Sequence, residues 1–129
     1  MTQTKWSIQL VDNWVLESNK NYYLCSNPKG YGSLILSEYT KDTTITNKDI
    51  IDLEEFNNDD ILHLKEVKCG DFNGLYIAYT DEENNFWRKW WLKNKRLLLF
   101  VSYNCDFKNK SYEMDLVDKM LSSLIFLKS

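Results

Sequence analysis

His63 is the only histidine in the chain, so a cysteine–histidine nucleophile pair or an imidazole-bearing zinc site must use it. Its nearest cysteine, Cys69, lies six residues away. On one extended strand those six residues span roughly 20 Å, and the two side chains cannot meet. Cys25 or Cys105 could approach His63 only across strands, and one imidazole with one thiolate is two ligands short of a tetrahedral zinc site. His63 is therefore expected to be structural or at the surface. Paired carboxylates occur at Glu54-Glu55, Asp59-Asp60 and Asp81-Glu82-Glu83, residue types able to exchange protons or hold calcium. None falls in the D-x-[DN]-x-[DN]-G loop pattern. The first pair falls on the wet side of an expected helix and the other two in expected turns, where charge stays solvated. The loop from Asp81 to Asn85 is an expected electronegative tip that a basic partner could recognise. There is no GxxxxGK[ST], GxGxxG or GxSxG, and Gly30-Tyr31-Gly32 has neither a third glycine nor a following helix. The residues thus predict no catalytic group, no metal site and no cofactor.

Aromatics and cations crowd into NFWRKWWLKNKRLLLF, residues 85–100. Trp87 and Trp91 with Lys89 and Lys93 would form a stacking platform for single-stranded nucleic acid if exposed. A net charge of −3 and a pI near 5.2 give no overall attraction to phosphate, and arginine is scarce, so nucleic acid is excluded as the expected partner. Read as a strand, the stretch alternates: Phe86, Arg88, Trp90 and Leu92 share one face, and Trp87, Lys89, Trp91 and Lys93 the other. A tight Lys93-Asn94-Lys95 connection leads into Leu97, Leu99, Val101 and Tyr103 against Leu98, Phe100, Ser102 and Asn104. Both faces are largely apolar, which predicts a hairpin inside a sheet with cover on each side. Arg88 and Lys89 are expected to snorkel or to pair with acids on neighbouring strands. The same aromatics suit a protein interface, where Trp, Tyr and Arg dominate the binding energy. Trp87, Trp91, Asp81, Glu82 and Glu83 are accordingly the candidate partner-binding residues.

The elements that must position these groups can be read from turn spacing and periodicity. Strands are expected at Trp6 to Val11, Trp14 to Glu17, Tyr22 to Cys25, Ser33 to Tyr39, Ile61 to Cys69, Gly74 to Thr80, Phe86 to Leu92 and Arg96 to Asn104. One helix is expected from an N-cap at Thr46, with Asp49 placed to complete a capping box, through Ile50, Ile51, Leu53 and Phe56. A second begins near Ser111 and carries Met114, Val117, Leu121 and Leu124 as an apolar stripe opposite Asp115, Asp118, Lys119 and Ser122. Gly74 is expected to close a DFNG turn. The 129 residues, 43% hydrophobic and 15% aromatic, suffice for one domain, residues 1–129, with its own core. Three dispersed cysteines without a CxxC pair are not a secreted disulfide framework and suit buried thiols in a reducing compartment. MTQTKWSIQLVDNW lacks the charged, apolar and small-residue segments of a leader, and no window holds eighteen consecutive apolar residues. A cytoplasmic location without membrane association is the expectation. Lysine-rich, asparagine-rich composition points to a bacterial genome of high AT content.

WSIQLVDNW, GYGSLILSEYT, the pair GLYIAYT and FWRKWWL, then RLLLFVSYNC and a closing MLSSLIF together resemble the PsbP-like superfamily over almost the whole chain. That superfamily includes the extrinsic photosystem II protein, the Ran-binding nuclear import factor and small bacterial members, DcrB-like proteins and type VI effector-associated chaperones among them. Where many members carry a proline ahead of the early tryptophan, this chain has Val11, Asp12 and Asn13 before Trp14. The resemblance implies an antiparallel sheet sandwiched by helices that binds another protein, and it supplies no catalytic residues.

The expected fold is therefore α+β, a twisted antiparallel sheet of six or seven strands. The C-terminal helix is expected on one face and the Thr46 to Phe56 helix over the other face or an edge. The expected function is a bacterial protein-binding module without catalytic activity, an immunity protein or an adaptor or chaperone for a toxin or secreted effector. Its partner would be another protein, a basic one or a second copy of the chain. The alternative is a small-ligand carrier or enzyme with a pocket between sheet and helix, lined by Tyr22, Tyr76, Trp90 or Tyr103, with His63 beside Glu66 or a cysteine.

Overall fold

The computed structural model describes residues 5–127; residues 1–4 and 128–129 lie outside the described residues. Seven strands form one antiparallel sheet: β2 (Val15–Ser18), β3 (Tyr23–Ser26), β4 (Ser33–Thr40), β5 (Lys65–Cys69), β6 (Phe72–Thr80), β7 (Asn85–Asn94) and β8 (Leu97–Asp106), in the spatial order β2-β3-β4-β8-β7-β6-β5. A separate two-stranded ribbon joins β1 (Trp6–Ser7) to β9 (Ile125–Phe126). Among the described residues the α-helices are α1 (Asn47–Glu54), α2 (Asn58–His63) and α3 (Met114–Ser122). The class is α+β with an antiparallel sheet.

The aromatic stretch is β7, next to the central strand β8 and paired along its length with β6 and β8. Its parity sorts the side chains into two cores. Arg88, Trp90 and Leu92 point to the face that carries Leu34, Leu36, Leu99, Val101 and Tyr103, closed by Val117, Met120 and Leu121 of α3, by Leu124 and by Trp6 and Trp14. Trp91 points the other way, into a smaller core with Leu75, Ile77 and Leu98 that is closed by Ile45, Ile50, Ile51 and Phe56 at α1. The two helices thus cover opposite faces, but α1 covers only part of its own. Apolar strands that face cover on both sides lose their alternation of polar and apolar residues, which accounts for the composition of β7 and β8.

Local chemistry sets the connections. The β6–β7 hairpin turns through Glu82-Glu83-Asn84, with Asn84 in the left-handed region at φ 65° and the Asp81 carboxylate accepting the amides of Glu83 and Asn85 at 2.9 Å each. Asn tolerates that conformation, and an Asp side chain at the start of a turn mimics a backbone acceptor. The capping box expected at Thr46 and Asp49 is present, with Thr46 Oγ1 accepting the Asp49 amide and Asp49 accepting the Thr46 amide.

Several expectations need correction. Ile61, Leu62 and His63 belong to α2, not to a strand, and only Lys65–Cys69 is extended. A second capping box, Asn57 with Asp60, starts that helix and outweighs the short apolar run. The N-terminal strand covers Trp6–Ser7 only, and α3 begins at Met114, three residues beyond Ser111. The β5–β6 turn is Gly70-Asp71, with Gly70 at φ 60°, so Phe72-Asn73-Gly74 is strand and Gly74 lies inside β6. A side chain at Gly74 would collide with the Trp91 carbonyl oxygen, so glycine is required there by close approach of β7. The β7–β8 turn centres on Lys95-Arg96, one residue later than expected.

Candidate functional site

Beyond the reach of α1, the sheet face that carries Trp91 continues as an uncovered surface. Trp87 lies there half-buried, beside Tyr79, which is 39% exposed. The two are directly opposite in the β6–β7 register, and their rings stack at 6.5 Å between centroids with 13° between planes. Lys89, two residues along the same face, holds its Nζ 5.2 Å from each ring centroid, a double cation–π contact. The indole Nε1–H of Trp87 donates to Asp81 Oδ2 at 2.9 Å, tying the aromatic stack to the acidic turn. The backbone amides of Asn85 and Glu83 and the Trp87 indole hold the Asp81 carboxyl below the usual carboxylate range, the Asn85 amide contributing most. Glu82 and Glu83 are exposed at the tip.

Sequence reasoning placed Trp87 and Trp91 together, and the structure separates them. Trp91 is 2% exposed, with Phe56 edge-on at 5.0 Å and Phe100 tilted at 5.4 Å, and its indole N–H is buried without a hydrogen-bond partner. In this arrangement it closes the core under α1 and does not reach the surface. Lys93, further along, donates to Asn73 Oδ1. Of the five candidates, Trp87, Asp81, Glu82 and Glu83 converge on one end of the molecule.

Arg88 was expected to snorkel or to pair with an acid on a neighbouring strand. It is 6% exposed and instead reaches α3, donating to Asp118 Oδ1 at 2.6 Å and to the Met114 carbonyl at 3.4 Å, while its Nε donates to Tyr76 Oη at 2.8 Å. Its guanidinium also lies over the rings of Trp90 and Tyr76. The charge is buried but fully engaged, which is the condition for such a group to be tolerated. Asp118 thus supplies the acid from α3 while its own side chain stays half exposed.

Glu113 is a buried anchor that sequence reasoning missed. At 3% exposure it accepts from the Tyr103 hydroxyl at 2.7 Å, the Gly32 amide at 2.8 Å and the Tyr31 amide at 3.2 Å. Burial, reinforced by Glu113, pushes the Tyr103 phenol far above its ordinary range. The Gly30-Tyr31-Gly32 loop thus presents its last two amides to an anion, and that anion is the protein's own carboxylate. No local signal marks the pairing, because its partners stand some eighty positions apart.

The residues proposed for a sheet–helix pocket do not form one. Tyr76, Trp90 and Tyr103 pack around Arg88 and Glu113, and Tyr22 is exposed in the loop before β3. His63 sits exposed at the end of α2, its Nδ1 2.8 Å from the Asp59 carbonyl oxygen, whereas Cys25, Cys69 and Cys105 are free and buried. An open apolar groove of about 550 Å³ does run between α1 and the sheet, lined by Tyr39, Ile45, Ile50, Leu53 and Leu98. Among the described residues, no group of three His, Cys, Asp or Glu side chains is disposed to hold a metal ion, and no helix is long and apolar enough to cross a membrane.

No protein-family model and no curated protein matches the chain. Solved structures do share its fold. One, a crystal structure of a protein from Bacteroides thetaiotaomicron VPI-5482, aligns with a TM-score of 0.72 at 18% identity over 97% of this chain and 46% of that one. This chain thus spans about half the length of that protein. Another is LpqN of Mycobacterium tuberculosis, described as involved in cell envelope biogenesis, with a TM-score of 0.63 at 14% identity over 95% of this chain and 83% of LpqN. At these identities the likeness extends to the fold alone.

Proposed function

We propose that the protein is a binding module without catalytic activity, which docks a partner protein of basic character on the Trp87 end of the sheet. The observation that carries this reading is the Trp87–Tyr79–Lys89 stack, left uncovered by α1 and hydrogen-bonded to Asp81 in an acidic turn. A large, rigid aromatic with an anchored polar atom is the kind of side chain that dominates interface energy. Exposed carboxylates at Glu82 and Glu83, beside the half-buried Asp81, would steer a basic partner toward it. A small bacterial immunity protein, or an adaptor or chaperone for a toxin or secreted effector, fits this arrangement. The free, buried cysteines support a reducing compartment, the cytoplasm. The disposition of α1 and α3 on opposite sheet faces supports a PsbP-like sandwich as the finer description of the fold.

The reading is tested by co-expressing the chain with each product of its neighbouring genes and following complexes by size-exclusion chromatography with light scattering. A complex that forms with one neighbour and is lost in Trp87→Ala and in Glu82→Lys/Glu83→Lys is the expected result. A self-dimer dissociated by Trp87→Ala would make a second copy the partner. The idea fails if no complex forms, or if one forms that neither variant weakens.

A further inference from the structure

We propose that a groove at the opposite end of the sheet, beside the β7–β8 turn, binds a phosphorylated small molecule. Lys5, Lys41, Lys95 and Arg96 line it over a floor that includes Leu97 and Phe126, and its volume is about 440 Å³. No carboxylate is among its lining residues. Four cations are gathered here in a chain of net charge −3, so the cluster does not follow from a generally basic surface. The acids that come near are already engaged. Asp49 faces Lys41 at 3.1 Å and accepts the Thr46 amide, and Asp71 accepts the amide of Phe126 at 2.9 Å. Lys5, Lys95 and Arg96 form no ion pair among the described residues.

The cations come from separate segments that the backbone ties together. The Lys41 amide donates to the Arg96 carbonyl at 3.0 Å, the Ile45 amide to the Lys95 carbonyl at 2.8 Å, and the Leu127 amide to the Lys5 carbonyl at 2.7 Å. Lys95 adopts the left-handed conformation at φ 54°, and its Nζ lies 5.6 Å from the Phe126 ring centroid. Like charges held together by the fold repel one another, and an entering polyanion relieves that repulsion. A phosphate monoester carries close to two negative charges at neutral pH, more than a single carboxylate offers. The Arg96 guanidinium can donate to two phosphate oxygens at once, the lysines supply point charges, and the partly exposed Phe126 can receive an apolar body. The volume falls within the range of roughly 300–1,000 Å³ typical of small-molecule sites.

Soluble phosphate esters and anionic lipid headgroups share this chemistry, and separate arms of one experiment distinguish them. Phenyl phosphate is titrated into the protein and followed by the amide signals of residues 95–97, and vesicles with and without phosphatidic acid are tested by co-sedimentation. The expected result is saturable binding of phenyl phosphate that Lys5→Glu/Arg96→Glu weakens at least tenfold. Raising salt from about 50 to about 200 mM should weaken it several-fold. Lys29→Glu/Lys108→Glu, which makes the same change in net charge away from the groove, should leave affinity within twofold. Co-sedimentation with the acidic vesicles, lost in the groove variant, assigns the source to a headgroup, and phenyl phosphate binding without it assigns a soluble ester. A urea midpoint within error of the wild type in both double variants keeps the comparison clean. The proposal is overturned if phenyl phosphate produces no saturable shift at residues 95–97, or if the two double variants lose affinity equally.

Discussion

Trp87 and Trp91 differ by four residues along one strand and point to the same face, yet they do different work. Trp91 has Phe56 and Phe100 around its ring and is buried, and its orphaned N–H forfeits about 1–3 kcal/mol of desolvation. Trp87 keeps its N–H bonded to Asp81 and shows part of its ring to water. Truncation should read out this difference. Trp91→Ala should destabilise the fold by about 3–5 kcal/mol, the range for emptying a large aromatic site in a core. Trp91→Phe should cost less than half as much, because it keeps part of the packing and removes the unpaired donor. Trp87→Ala should cost about 1 kcal/mol or less, as at a partly exposed site. Urea unfolding of the three variants checks all of this, and equal losses for Trp87→Ala and Trp91→Ala would contradict the assignment of cover to α1.

At the level of elements, α1 decides which part of that face is core and which is surface. It has eight residues, too few to be stable as an isolated helix in water, so its caps and its packing through Ile50 must hold it in place. Thr46→Ala removes the side chain that accepts the Asp49 amide. It should lower stability by about 1 kcal/mol, the usual cost of losing such a cap, and raise the accessibility of Trp91 to a fluorescence quencher. Unchanged quenching and an unchanged urea midpoint would show that packing alone positions the helix. The α1 box was legible in the sequence because T-x-x-D precedes an apolar run. The same logic applied to Asn57 and Asp60 would have found α2, but Ile61, Leu62 and Leu64 read as a strand when their neighbours are ignored. In the fold Ile61 and Leu62 are exposed, so their apolar character reports neither a core strand nor a core helix.

Over the whole molecule, charge is separated along the long axis of β7. The acidic turn at Asp81 to Asn84 precedes its first residue and the Lys95-Arg96 turn follows its last, about 30 Å away for a strand of ten residues. Stability should respond to pH on two limbs. The carboxyls of Asp49 and Asp81 are held below their usual range by backbone amides first, so they favour the folded state above the ordinary carboxylate pKa near 4, and that contribution fades as pH falls through their lowered values. Burial raises the thiols of Cys25 and Cys69 from 9.0 to about 11, so folding holds them protonated where the unfolded chain would ionise them. Stability should therefore be constant below pH 9 on this account and decline from about 9 toward 11. Urea midpoints across pH 3–11 check both limbs, and replacing Cys25 and Cys69 with alanine should make the alkaline one shallower, leaving the part due to buried Cys105 and Tyr103.

Alternation in residues 86–104 and the stripe on α3 were sufficient to specify an antiparallel sheet with apolar faces and an α+β class, because periodicity is a property of the local chain and solvent sorts it. The acidic tip was equally legible, since a D-E-E-N-N turn needs no distant partner. Which tryptophan would be covered, that Arg88 would reach Asp118 on a helix, that Glu113 would accept the Tyr31 and Gly32 amides and that Lys5, Lys41, Lys95 and Arg96 would line one groove were decided only in three dimensions. Each depends on where a distant segment crosses the sheet, and a side chain carries no local record of which segment that will be.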